Sequence, residues 1–319
     1  MTDLAIDVRG LRKRYGDLEA VKGVNLQVAR AEVFALLGPN GAGKTTAVEI
    51  LEGHRERDGG EVRVLGFDPG RRERAFKERI GVVLQETGVE PYLTVEETVE
   101  LYRGYYPHPR PLDEVIDLVG LTEQRRTRVI KLSGGQQRRL DVAVGLAGDP
   151  ELLFLDEPTT GFDPAARRDA WEMIKGLQAL GKTIFLTTHY MDEAEILAGR
   201  VAIIRRGEIV ALGSPRDLID TEARTLIRFR IPPGAAGLVD GIEGADVQPD
   251  AYVTIATVDP TGILHLLTGR AIDRGVELGE LQVARASLED VYLRYVGEDP
   301  AQESAEAAPS RGSRRRGRS

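Results

Sequence analysis

Apolar and polar residues along this chain fall into short blocks whose period changes several times. Residues 4–11 (LAIDVRGL) alternate, as a strand with one buried face does. Residues 23–38 (GVNLQVARAEVFALLG) read as a strand ending in an unbroken apolar run, Val33 to Leu37. A glycine-rich loop follows, and then a helix from Lys44 through Glu52. Further strands are predicted at 61–66 (EVRVLG) and 80–85 (IGVVLQ). From about residue 94 to 147 the period becomes helical, opening on a capping box with Thr94 as N-cap and Glu97 three residues on. Residues 151–158 (ELLFLDEP) form an apolar run of the kind buried on both faces of a parallel sheet, and 182–190 (KTIFLTTHY) form a second. Residues 201–213 read as a hairpin.

Past about residue 222 the texture changes. Residues 225–231 (TLIRFRI) alternate, 251–258 (AYVTIATV) do so less cleanly, and 261–275 read as an amphipathic helix. A strand at 277–285 and a last helix opening on Ser287 complete a small α+β unit. The tail has almost no apolar content and is expected to be disordered. The expected division is 1–222 with a helical part at about 90–147, an accessory unit at 223–297, and an Arg-rich tail at 298–319.

Composition narrows the picture modestly. The chain has 319 residues, 41% hydrophobic and 29% charged, an ordinary globular balance. It has no cysteine, which excludes disulfides and thiolate metal sites. The net charge of -8 does not favour a nucleic-acid partner. The first ten residues lack the pattern of a secretory signal. No apolar segment approaches the roughly 18–20 residues that cross a bilayer, so spans at a membrane would come from another protein.

The chemistry begins with GPNGAGKTT: Gly38, Pro39, Asn40, Gly41, Ala42, Gly43, Lys44, Thr45 and Thr46. Lying between a strand and a helix, it fits a loop whose N–H groups cradle phosphate. Lys44 would reach the outer phosphates, and the Thr45 hydroxyl would ligate Mg2+. Asp156, ending the first apolar run, would hold the Mg2+ shell, and Glu157 could orient or deprotonate an attacking water. An Asp-Glu pair after an apolar strand is more often a solvated strand end; the glycine loop in the same chain reverses those odds. His189 and Gln85 end apolar runs and carry little alone. Tyr15 is either core packing or a stacking platform for a base. Ser133 with Gly134 and Gly135 forms a second helix start suited to an anion. A plain capped helix explains Ser133 but not two glycines, each unfavourable by roughly 0.5–1 kcal/mol relative to alanine. The tail end RGSRRRGRS, with five arginines in 311–319, could meet nucleic acid or the anionic lipid of a cytoplasmic leaflet, and such tails are most often simply solvated.

Taken together, GPNGAGKTT, Gln85, LSGGQ, LLFLDE, GFD and His189 stand in the order found in the ATP-binding subunits of ABC transporters, which the chain closely resembles over about residues 4–220. The wording TTHYMDEAE, LQETG and SLEDVYLRYVG is similar to the daunorubicin/doxorubicin-resistance branch, whose relatives export lipids, polysaccharides or other compounds. The resemblance implies an α/β fold of the P-loop NTPase class: a RecA-like core, an antiparallel β subdomain, a helical subdomain carrying LSGGQ, and here a small C-terminal α+β domain. It implies an ATPase with ATP and Mg2+ sandwiched between two such domains, in a homodimer or a heterodimer with a homologue. A separate integral membrane permease and a peripheral place on the cytoplasmic face of the cell membrane follow from it. On that resemblance Tyr15 stacks on adenine, Gln85 senses Mg2+ and water, and Glu157 is the catalytic base. Ser133, Gly135 and Gln136 serve the partner's γ-phosphate with His189, and Asp163 lies in the loop coupling the two sites. Phe162 stands where the family usually has leucine. The alternative class is a non-transport ABC ATPase acting on nucleic acid or the ribosome.

Overall fold

The computed structural model describes residues 3–84, 88–222, 225–232, 235–248 and 250–297. Gln85, residues 223–224 at the expected domain boundary, and the tail 298–319 lie outside the described residues. Two long antiparallel strands open the chain, β1 (Leu4–Tyr15) and β2 (Leu18–Ala29). The strand expected over 23–38 is two strands: the chain turns at Ala31, whose φ of 57° is left-handed, and enters β3 (Val33–Leu37). Thr183 Oγ1 accepts the Ala31 N–H at 3.0 Å and fixes that turn. After α1 (Lys44–Leu51), β4 (Gly59–Val64) pairs with β1 to complete a three-stranded antiparallel sheet.

The chain continues through α2 (Arg74–Lys77) and β5 (Ile80–Val83) into the helical stretch, which is three helices joined by turns. These are α3 (Val95–Arg103), α4 (Leu112–Leu118) and α5 (Gly134–Leu146). The expected capping box is formed at α3, where Thr94 Oγ1 accepts from the Glu97 N–H and Glu97 Oε2 accepts from the Thr94 N–H. There follow β6 (Leu152–Asp156), α6 (Pro164–Ala179), β7 (Thr183–Thr188), α7 (Met191–Leu197), the hairpin β8 (Arg200–Arg205) and β9 (Glu208–Gly213), and α8 (Pro215–Glu222).

The central sheet has six strands in the order β5-β6-β7-β3-β8-β9, parallel except for β9. Strand alternation divides its packing between two cores. Val33, Ala35 and Leu37 face a core shared with α3–α7, while Phe34 and Leu36 face one shared with α1 and the antiparallel sheet. On the latter face Phe34, Phe185 and Phe154 lie in register across three strands, with centroids 5.5 and 5.7 Å apart. Such a row aligns the strands so that β3, β6 and β7 end together, and in open α/β sheets ligands bind at those carboxyl ends.

The C-terminal unit consists of β10 (Thr225–Arg230), β11 (Ala245–Val247), β12 (Tyr252–Thr257), α9 (Pro260–Asp273) and β13 (Gly279–Arg285). Its antiparallel sheet, β11-β12-β10-β13, has its own core around Ile227, Phe229, Val253, Ile255 and Leu267. The last helix, α10 (Leu288–Val296), leaves that core. Its Leu288, Val291, Tyr292 and Val296 join the core of the large sheet, against α7, α8 and β8. Arg205 Nη1 of β8 donates to the Tyr295 carbonyl at 2.9 Å and holds it there.

Candidate functional site

The glycine loop bridges β3 and α1, as its sequence requires, and the surrounding backbone dictates its glycines. At Gly43 φ is 104°, and a Cβ there would lie 2.3 Å from the Ala20 carbonyl oxygen. At Gly38 a Cβ would lie 2.4 Å from the Ile204 carbonyl oxygen. The β8–β9 turn anchors the loop further, because the Gly207 N–H donates to the Ala42 carbonyl at 2.9 Å. Lys44 is buried and its ammonium donates to the Gly38 and Pro39 carbonyls at 2.5 and 3.1 Å. Burial lowers its pKa, while the charges of Glu157 and Asp156 oppose that shift. Thr45 is exposed beside it, Asn40 and Gly41 are exposed at the loop's tip, and Thr46 is half-buried.

Asp156 ends β6 opposite Thr187 of β7, whose hydroxyl donates to Asp156 Oδ1. The next residue turns sharply. Glu157 has a φ of 45°, a left-handed conformation costing a non-glycine residue about 1–2 kcal/mol. Its N–H donates to the Thr187 carbonyl at 3.1 Å and to the Thr187 hydroxyl at 3.2 Å, which hold the turn. The Glu157 carboxylate therefore rises at the sheet edge rather than following the strand. His189 Nδ1 lies 3.4 Å from Glu157 Oε1, and Thr160 Oγ1 donates to Glu157 Oε2 at 3.1 Å. These groups, His189 first, hold the Glu157 pKa below the usual glutamate value against the opposing effect of burial. The structure thus brings Lys44, Asp156, Glu157 and His189 into one neighbourhood.

Ser133 and Gln136 cap α5 reciprocally: Ser133 Oγ accepts from the Gln136 N–H at 3.3 Å, and Gln136 Oε1 accepts from the Ser133 N–H at 3.0 Å. The Gln136 side chain is thus engaged within its own helix start. A Cβ at Gly134 would meet nothing within 4 Å, and one at Gly135 only Ala166 Cβ at 3.8 Å. Ser133, Gly134 and Gly135 line a groove of about 950 Å³ together with Glu157, Gly161, Phe162 and Asp163, and no residue of 38–46 lines it. Asp163 caps α6, its Oδ1 accepting from the Ala165 and Ala166 N–H groups at 2.9 Å. Tyr15 ends β1 with 39% of its surface exposed, so it is not core packing. Arg55 and Lys13 lie 5.3 and 5.7 Å from its ring centroid.

Three residues the sequence pattern does not single out hold this site. Thr187 supports both acidic residues. Arg138 of α5 is buried and donates to the carbonyls of Leu84, Asp156 and Pro158, tying the LSGGQ helix to the ends of β5 and β6. Glu193 of α7 is buried, accepts from Thr159 Oγ1 at 2.8 Å and from Trp171 Nε1 at 3.2 Å, and has its pKa raised by burial. Arg138 and Asp141, three residues apart on the buried face of α5, were a readable signal, since charges seldom sit there unpaired.

A strand-to-helix glycine loop whose lysine faces a carboxylate pair at the neighbouring strand ends defines the P-loop NTPases. The ABC transporter family matches residues 21–160. The chain is 37% identical over 314 residues to the daunorubicin resistance ATP-binding protein DrrA3 of Streptomyces coeruleorubidus, covering 94% of this chain and 98% of that protein. It is 39% identical over 308 residues to the Nod factor export ATP-binding protein I of Rhizobium sp. (strain N33), covering 94% and 99%. The fold is similar to the dimeric post-hydrolysis structure of the ATP-binding cassette MJ0796 bound to ADP and Pi, with a TM-score of 0.59 and 25% identity over 66% of this chain and 98% of that one. The chain belongs to the ATP-binding, ATP-hydrolysing proteins of the ABC transporter family.

Proposed function

We propose that the protein is the ATPase subunit of an exporter, drives a separately encoded membrane permease, and hydrolyses ATP at two sites formed between two copies or between one copy and a homologue. The observation that carries this is the pair of half-sites. Lys44 and His189 gather about Glu157 beside the glycine loop, while the bare glycines of α5 open on a groove that Glu157 also lines and that this loop does not. A second subunit's loop would meet Ser133 and the N–H groups of Gly134 and Gly135, first-turn donors for which a helix offers no backbone acceptor. Among the described residues no helix is long and apolar enough to cross a membrane, in keeping with a peripheral place at the cytoplasmic face.

In this reading Gly38–Thr46 wraps the phosphates and Lys44 exchanges its loop carbonyls for phosphate oxygens. Tyr15, with Arg55 and Lys13 near its ring, stacks on adenine. Glu157 accepts the proton of the attacking water; its strained backbone aims the carboxylate, and its lowered pKa keeps it ionised. His189 contacts the γ-phosphate, and Asp163 links the two sites across the dimer. Gln85 retains its proposed role beside Mg2+ and the attacking water. Among the described residues no cluster of three or more His, Cys, Asp or Glu could hold a metal. Asp156 and the exposed Thr45 hydroxyl nevertheless fit Mg2+, which commonly takes one or two protein ligands and completes its shell with phosphate and water. When bound it would neutralise charge developing on the phosphates.

The resemblance to a daunorubicin resistance protein favours a drug or antibiotic as cargo. The Nod factor export relative supports the second reading, a lipid or polysaccharide cargo. The Arg-rich tail makes at most a weak contact with anionic lipid, and no nucleic acid is involved. The test is Glu157→Gln: turnover falls at least about a hundredfold, and an ATP-bound dimer accumulates in gel filtration. Wild-type hydrolysis by this variant overturns the assignment of the base.

A further inference from the structure

Behind His189 stands a row of closely packed side chains. The Tyr190 ring centroid lies 4.1 Å from that of His189, and the Arg167 guanidinium lies 4.1 Å from the Tyr190 centroid. Arg167 sits in the first turn of α6, four residues past Asp163, and pairs with Asp192 at 3.3 Å. The outer wall of this row belongs to the C-terminal part of the chain. Glu289, Tyr292 and Leu293 of α10 enclose a cavity of about 370 Å³ with His189, Tyr190 and Arg167. Tyr292 is 4% exposed, anchored in the large core.

A cavity beside a side chain removes packing partners on that side, so its rotamer depends on the walls that remain. Here α10 supplies one of those walls. The helix is in turn fastened to the accessory sheet, because Arg228 of β10 forms an ion pair with Asp290 in its first turn. The other Asp290 oxygen closes the α10 capping box, accepting the Ser287 N–H at 2.7 Å. Contacts therefore run from β10 through Asp290 into α10, whose Tyr292 walls the same cavity as the histidine that touches Glu157.

We propose that Tyr292 is a positioning residue for His189, and that the accessory sheet, through Arg228 and Asp290, sets how well that histidine is aimed. The catalytic part rests on the reading of His189 given above. The accessory unit then controls the hydrolytic rate in addition to any contact it makes with other subunits.

The chain has four histidines, His54, His108, His189 and His265, so ring resonances from isotope-labelled histidine are few, and His189→Gln assigns the relevant one. In the full-length protein, Tyr292→Ala should shift the His189 resonance, leave those of His54 and His108 in place, and lower kcat about tenfold with the KM for ATP within about twofold. Tyr292→Phe keeps the ring and should restore both. Arg228→Gln, outside the large core, should move resonance and rate the same way by a smaller amount, covering the case in which Tyr292→Ala fails to fold. An unmoved His189 resonance in both Tyr292→Ala and Arg228→Gln overturns the proposal, and so does a shifted resonance with unchanged turnover. Wild-type turnover in His189→Ala overturns instead the catalytic reading of His189.

Discussion

At the start of α1 the glycines are imposed by the rest of the molecule; at the start of α5 nothing among the described residues demands them. Side chains at Gly38 and Gly43 would run into the carbonyls of Ile204 and Ala20, whereas one at Gly134 would project into open space. The first loop also draws its lysine inward onto its own carbonyls, and the second satisfies its cap with Ser133 and Gln136 and leaves its glycine N–H groups without an acceptor among the described residues. Both helix starts suit phosphate, yet the first is shaped by contacts within its own fold and the second opens on a groove that the first loop does not line. On the proposed function, glycines kept at a helix start despite their cost serve a ligand held by a second subunit, and the contrast between the two helix starts supports that proposal.

The sharpest way to break this contrast is to add one methyl group to each loop. Gly43→Ala forces a side chain into a left-handed conformation, costing about 1–2 kcal/mol before any collision with the Ala20 carbonyl. Nucleotide binding should be lost and the melting temperature should fall; retained ATP affinity in a titration calorimeter would contradict the loop's role. Gly135→Ala should do the reverse to stability. Its Cβ makes an ordinary contact, and alanine favours a helix by up to about 1 kcal/mol. The monomer should melt slightly higher while ATP-driven dimerisation weakens about tenfold, the scale of a disturbed phosphate contact near 1.4 kcal/mol. A variant that dimerises like wild type in analytical ultracentrifugation would remove the case for an outward-facing half-site.

Ser133→Ala removes the cap without adding bulk and should cost about 1 kcal/mol, read as a fall of roughly 2–4 °C in melting temperature. The smallest effect belongs to the opposite end of the sheet. Glu151, bridged by Arg79 and Arg30, has its pKa lowered to about 2. A carboxylate depressed in the folded state stabilises above its unfolded value and loses that contribution as pH falls from about 4.5 towards 2. Glu151→Gln should flatten the acid-side loss of stability in that window and leave ATP turnover unchanged. Because Glu151 is partly exposed, solvent screening keeps the change small.

Much of this was readable in one dimension. The buried runs of β3, β6 and β7, the glycine loop, the capping box at Thr94, the helix starts at Ser133 and Ser287, and the small C-terminal unit all follow from periodicity and local hydrogen-bonding chemistry. The break at Ala31 does not, because apolar residues lie on both sides and the turn rests on Thr183, far along the chain. Helix α6 is also faint, since only Ala170, Trp171, Ile174 and Leu177 of its sixteen residues are buried. Helix α7 begins without a side-chain cap.

What the sequence determined by itself is the set of groups proposed to touch ATP, because phosphate chemistry needs particular side chains at particular spacings and local backbone physics favours strand and helix ends for them. Tertiary structure alone decided the supports. Thr187 holds both acidic residues because β6 and β7 pair in that register, and Arg138 reaches three carbonyls because α5 crosses the ends of β5 and β6. The destination of α10 belongs to the same class. Its apolar stripe would serve equally against its own sheet, and only the packing of the whole chain brings it beside His189.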